Sequence, residues 1–246
     1  MIIQDGLQKE DGIVRSFLMI GQSNMAGRGE FSEVEPIKSK KCLMLRMGRW
    51  QRMSEPINPD RSVFGKKMHS GISLAASFAD EIANQTGEQV GLIPCADGGT
   101  RIRQWMPGEI LYDHALFMAR LAKRTSILSG IIWHPGESDC HTDEETLLHK
   151  EKFCEMITSL RRELDAEGLP LIIGELSERL CEKPVYGDRP VRLNAQYHEL
   201  ARELPNTAVV SSEDLTLKAD GLHFDSASLR VFGRRYADAS FSLTRT

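Results

Sequence analysis

The chain has 246 residues, 27% of them charged, and a formal net charge of -4. That length suits one sizeable core, and no Pro/Gly/Ser-rich linker divides it, so a single domain is expected over residues 1–246, with its core at about 14–243. The weakly acidic balance excludes the basic field of a nucleic-acid partner, and no apolar run nears the roughly 20 residues that span a bilayer.

Met1 to Gly12 carries acidic and amide residues where a secretion signal has a basic start and an apolar core, which points to a cytoplasmic protein. Cys42, Cys95, Cys140, Cys154 and Cys181 are odd in number, scattered and without a C-x-x-C pair. They are expected to be reduced, with neither a disulfide framework nor a structural zinc site.

Val14 to Ile20 is short, apolar apart from Arg15 and Ser16, and closed by Gly21, which predicts a first parallel strand buried on both faces. It hands the chain to Gln22-Ser23-Asn24-Met25, so Ser23 falls just past the carboxyl end of a strand, where open α/β sheets place their ligand crevices. Met25 occupies the place of the last glycine of a G-x-S-x-G elbow, which disfavours an α/β-hydrolase fold. Lys41 to Met47 predicts a second strand, and Gly48 to Lys67, rich in Arg, Pro and Asn, an irregular excursion.

Ile72, Ala75, Ala76, Ala79, Ile82 and Ala83 recur at helical spacing until Gly87. Gln89 to Pro94 predicts a third strand, ending at Cys95-Ala96-Asp97-Gly98-Gly99-Thr100. A helix over Leu111 to Lys123 and a strand over Ser126 to Trp133 follow, delivering His134-Pro135-Gly136-Glu137-Ser138-Asp139. Phe153, Ile157, Leu160 and Leu164 mark a long helix closed by Gly168 and Pro170. Leu171 to Gly174 predicts a strand, Glu175 to Arg189 a second irregular loop, Val191 to Leu204 a helix and Thr207 to Ser211 the last strand. Past Asp220-Gly221-Leu222-His223, Asp225 or Ser226 starts a terminal helix. This alternation implies a parallel sheet with helices on both faces, and the polar clusters fall along one rim of it.

A serine hydroxyl attacks only when a base takes its proton, and the base needs a carboxylate to fix its tautomer. Ser23, His223 and Asp220 supply those parts, because the three-residue spacing across Gly221 lets a turn set the carboxylate beside one ring nitrogen. A tetrahedral oxyanion needs donors, for which the main-chain N–H of Ser23 and that of Gly98 or Gly99 are the candidates. Arg101, Arg103 and Trp105 follow the glycine pair. They are read either as pocket residues, with Trp105 stacked on a sugar ring and an arginine on a carboxylate, or as solvated arginines and a packing tryptophan. Gln22, Asn24 and His134 are assigned to the same pocket. His134, Glu137, Asp139 and His141 do not have the H-E-x-x-H spacing, so no metal is expected.

Gly21-Gln22-Ser23-Asn24-Met25, Gly98-Gly99-Thr100, Trp133 to Asp139 and Asp220-Gly221-Leu222-His223 resemble, in order and spacing, the sequence blocks of SGNH hydrolases. They most resemble the branch that includes acetylxylan esterases and sialate O-acetylesterases, and the likeness runs from about Phe17 to about Phe232. It implies a flavodoxin-like three-layer α/β/α sandwich with a central parallel sheet. It also implies hydrolysis of O-acetyl esters on small-molecule or oligosaccharide substrates without a metal or organic cofactor. In some relatives a glutamate at the position of Glu137 orients the histidine, so Glu137 stands beside Asp220 as the alternative; the short tether favours Asp220.

Pro135 departs from the pattern W-x-Q-G-E-x-D, whose glutamine amide is a third oxyanion donor. Proline has no donor in side chain or main chain. Either the hole keeps two donors, with reduced but real activity, or a neighbour such as His134 or Asn24 supplies the third. The same departure suits two other readings: a catalytically impaired relative that binds acetylated sugars, and a variant that transfers the acyl group to another hydroxyl.

Overall fold

A computed structural model describes residues 13–60 and 69–244. Met1 to Gly12, read above for a leader, and residues 61–67 of the expected excursion, with residue 68, lie outside the described residues.

The strand expected at the start is β1, Val14–Gly21, and it passes straight into one turn of helix, α1, Ser23–Ala26. Next come β2, Cys42–Arg46, and β3, Arg49–Arg52, then α2, Leu74–Thr86, and β4, Gln89–Pro94. The chain continues through α3, Ile110–Lys123, β5, Ile127–His134, and α4, Asp143–Glu163. It closes with β6, Leu171–Gly174, α5, Arg189–Glu203, β7, Thr207–Val210, and α6, Ser226–Thr244.

The helix starts follow the local chemistry. Ser73 caps α2 by accepting from the Ala75 N–H, and Thr142 caps α4 by accepting from Glu145. Three acidic residues, Asp143, Glu144 and Glu145, fill the first turn of α4, where the helix dipole favours negative charge. Asp225 is the cap of α6, its carboxylate accepting from the Ser228 N–H at 2.8 Å.

Seven strands form one sheet in the order β3-β2-β4-β1-β5-β6-β7. Numbered among themselves, β4, β1, β5, β6 and β7 run 2-1-3-4-5, the flavodoxin-like order, whose topological switch point lies between β1 and β5. The pleat of β1 divides its side chains: Leu18 and Ile20 enter a core with α3, α4 and α5, while Phe17 and Met19 enter one with α2 and α6. Two helical layers thus cover both faces of the sheet. On the second face α6 lies so close to α2 that a Cβ at Gly233 would stand 2.1 Å from the carbonyl oxygen of Leu74.

One departure from an all-parallel sheet appears at the edge. β3 falls within the stretch expected to be irregular, and it pairs antiparallel with β2 through the two-residue turn Met47-Gly48, both at positive φ (51° and 74°). Arg49, Gln51 and Arg52 are exposed and only Trp50 turns inward, so this strand lacks the apolar alternation that marks the others. Charged side chains on an edge strand also discourage pairing with another chain.

Candidate active site

Ser23 reaches its position because β1 is clamped at its end. Gly21 has φ 122°, and a Cβ there would stand 2.1 Å from the His134 carbonyl oxygen on β5, so only glycine lets the two strand ends meet. The N–H of Gln22 donates to that same oxygen at 3.0 Å, and the N–H of Asp97, after β4, donates to Gly21 at 3.0 Å. Three strand ends are thereby joined at the switch point, and Ser23 opens α1 directly above them.

The turn before α6 brings the histidine. Oδ1 of Asp220 accepts from the N–H groups of Leu222 and His223 at 2.8 and 3.0 Å, which leaves Oδ2 to face the ring, 2.8 Å from His223 Nδ1. The far nitrogen, Nε2, stands 2.9 Å from Ser23 Oγ. Burial works against the Asp220 charge, but the hydrogen bonds from the main chain and ring of His223 and from Leu222 outweigh it. Its pKa therefore lies below the ordinary carboxylate value. Two contacts fasten this turn: Asn24 Oδ1 accepts from the Phe224 N–H at 3.1 Å, and Lys183 Nζ donates to the Asp220 carbonyl at 2.7 Å. Lys183 belongs to the second loop expected to be irregular, where nothing in the sequence marks it.

The N–H groups of Ser23, Gly98 and Gly99 meet no acceptor among the described residues. Gly99, at φ 69°, lines a cavity of about 440 Å³ together with Arg101, Arg103, Gln104, Glu137, Ser138 and His141. Arg101 is in that wall as expected, with its guanidinium 2.9 Å from Glu145 on α4. Glu137 is there too, but it is hydrogen-bonded neither to His223 nor to any other described residue, so the ring faces Asp220 instead. Asp139 turns the other way. Its carboxylate accepts from the Ile102 N–H at 3.0 and 3.1 Å and lies 3.2 Å from Nδ1 of the buried His149, whose Nε2 is 2.7 Å from the Tyr197 hydroxyl. This chain ties the glycine loop to α4 and α5.

Two residues expected in the pocket are elsewhere. Trp105 is 1% exposed, packed edge-on against Trp133 with its indole N–H donating to Thr100, so it presents no face to a sugar. His134 is 0% exposed, because the pleat of β5 turns it away from Trp133 and into the layer of α6, against Phe224 and Phe232. Burial pulls its pKa down to about 3. Since the Tyr236 hydroxyl donates to the Trp133 carbonyl, His134 Nδ1–H donates to that hydroxyl and Nε2 is left as an acceptor. Gln22 and Asn24, assigned to the same pocket, are 1% and 5% exposed.

Residues 14–242 match the protein family described as carbohydrate esterase, sialic acid-specific acetylesterase. A probable carbohydrate esterase of Arabidopsis thaliana is 28% identical over 251 residues, covering 92% of this chain and 90% of the relative. A solved structure of an Arabidopsis thaliana protein, 26% identical, superposes with a TM-score of 0.81 over 94% of this chain and 99% of that one. A carbohydrate acetylesterase of Xanthomonas citri, 18% identical, superposes at 0.63 over 95% of this chain and 57% of its own, a likeness of fold.

Proposed function

The chain belongs to the carbohydrate esterase, sialic acid-specific acetylesterase family, and from that membership and the geometry of the rim we propose that it is a serine esterase hydrolysing O-acetyl esters on sugars. The observation that carries this reading is the unbroken line from Asp220 Oδ2 through the His223 ring to Ser23 Oγ, at 2.8 and 2.9 Å.

In this mechanism His223 Nε2 takes the Ser23 proton as Oγ attacks the acetyl carbonyl. Asp220 holds the proton on Nδ1 and stabilises the imidazolium that forms. The oxyanion is received by the N–H of Ser23 and of Gly98 or Gly99, which have no other acceptor among the described residues. Collapse returns the proton from His223 to the sugar oxygen and leaves acetyl-Ser23. Water, deprotonated by the same ring, then releases acetate. His223→Ala should remove nearly all of the rate, because no other group then takes the Ser23 proton.

Labelling of Ser23 by a fluorophosphonate together with aryl acetate hydrolysis tests the reading, and Ser23→Ala should abolish both. Pro135 favours a second reading, a relative that binds acetylated sugars without cleaving them; that protein would show neither activity. Comparing acetylated xylo-oligosaccharides with acetylated sialic acids identifies the sugar.

A further inference from the structure

The outer face of α3 is apolar where a solvated helix would be polar. Ile110, His114, Phe117 and Leu121 recur at spacings of four, three and four, which sets them on one stripe about 16 Å long at 1.5 Å per residue. Ile110 is exposed and Phe117 is 63% exposed, while Leu111, Ala115, Ala119 and Ala122 carry the buried side of the helix. The stripe continues past the helix. A Cβ at Gly48, in the β2–β3 turn, would stand 3.7 Å from a Leu121 methyl, and Met47 beside it is 91% exposed. An apolar band that runs from a helix onto a neighbouring hairpin marks an interaction surface.

The charges beside the stripe are sorted by sign. Glu109 and Asp113 precede its centre, Arg120 and Arg124 follow it, and at 3.6 residues per turn all four fall along the same flank. All four are exposed. Glu109, Asp113 and Arg124 make no ion pair among the described residues, and Arg120, which stands 3.7 Å from Glu163, keeps 56% of its side chain exposed. The helix dipole favours acid before base, but it does not require the four to share the flank of an apolar stripe. The surface that complements this order is the same helix running the other way. With Phe117 on a twofold axis, Asp113 of one copy faces Arg120 of the other, Glu109 faces Arg124, and Leu121 falls between Ile110 and His114. Parallel pairing would instead set each charge against its own kind.

We propose that α3 is the seam of a homodimer in which two copies of this chain pair antiparallel about a twofold axis at Phe117. The apolar stripe supplies the burial, and the sorted flank sets direction and register. Arg103 and Gln104, just before α3, line the cavity beside Gly99, and the helix runs from that rim toward the opposite one. The two cavities therefore lie at opposite ends of the dimer, each open to its substrate. The pairing stands independently of the esterase reading.

The test is sedimentation velocity of the full chain from about 1 μM to about 1 mM, over which the parent should pass from one chain mass to two. Phe117→Glu should raise the dissociation constant at least about tenfold without changing the circular dichroism of the fold. Met47→Glu, outside the helix, should raise it about threefold or more, which separates loss of the surface from loss of the helix. Reversing the acidic pair, Glu109→Arg with Asp113→Arg, and reversing the basic pair, Arg120→Glu with Arg124→Glu, should each weaken self-association about tenfold, because both flanks then carry one sign. An equimolar mixture of these two variants should associate at least as tightly as the parent, since a basic flank then meets an acidic one. A parent that stays at one chain mass throughout, or a dimer that Phe117→Glu and Met47→Glu leave unchanged, would overturn the proposal. A mixture that associates no more tightly than either charge variant alone would overturn it equally.

Discussion

Two polar loops at the same rim each carry a histidine and at least one carboxylate, and they end in opposite states. In the turn Asp220 to His223, one oxygen of the carboxylate closes the turn on two main-chain N–H groups and the other holds the ring. Everything needed lies within four residues, so the partnership is set by local spacing. In the loop from His134 to Asp139, the histidine is sealed behind Phe224 and Phe232, Glu137 stands in the cavity wall without a hydrogen bond among the described residues, and Asp139 is spent on Ile102 and His149. There the partners come from the loop after β4, from α4 and from α6 and the turn before it, and tertiary packing chooses them. A carboxylate and a histidine close in sequence thus predict a pair when one turn holds both, and predict little when a pleated strand end separates them.

The largest expected effect tests that contrast directly. Asp220→Asn should lower kcat by about 10³- to 10⁴-fold, because the amide cannot stabilise the imidazolium. Glu137→Gln should lower it by less than about threefold, the change of a wall residue. Steady-state kinetics on one acetyl ester decides, and a larger loss in the Glu137 variant would reverse the assignment. The pKa of Asp220 is depressed in the fold, so its stabilising contribution is present above the ordinary carboxylate pKa and is lost only as pH falls through the folded value. Asp220 should therefore stay charged on mild acidification.

The next effect is on stability and concerns Trp105. Its ring is edge-on to Trp133 at 5.6 Å, inside the core shared with α3 and α4. Trp105→Ala should cost about 3–5 kcal/mol, seen as a fall in Tm of roughly 10 °C. An unchanged Tm with a raised KM for sugar esters only would put the ring back in the substrate pocket.

The sequence carries the fold where burial is periodic. β1, β4, β5 and β6 are apolar runs closed by turns, and α2 repeats its alanines along one stripe, so their existence and order are legible from the chain alone. β3 is not, since an edge strand exposed at Arg49, Gln51 and Arg52 has no apolar face to advertise it. At the site, the approach of His223 to Ser23 and Asp220 follows from a short tether and from Ser23 lying just past the end of a strand. The sealing of His134 and Trp105 and the Lys183 contact depend on which way side chains turn between elements far apart in sequence. No spacing encodes that.

The smallest effect belongs to the sealed histidine, and it reports on the packing side of the comparison. With its pKa near 3 in the fold, His134 stays neutral, while in the unfolded chain an imidazole titrates near its ordinary 6.5. The unfolded state therefore binds the extra proton between those values. Stability is full above about 6.5 and falls as pH drops toward 3, by about 2 kcal/mol between pH 7 and pH 5. His134→Phe places a ring of similar size beside Phe224 and Phe232 and removes the titrating group. Denaturant unfolding at pH 7 and pH 5 should show the parent losing about 2 kcal/mol more than the variant over that interval, with the activity of the folded variant at pH 7 retained. Parallel pH dependences would mean that the fold accepts a protonated imidazole at this position. His134 would then be open to solvent, and the distinction between a histidine placed by its turn and one placed by its pleat would fail.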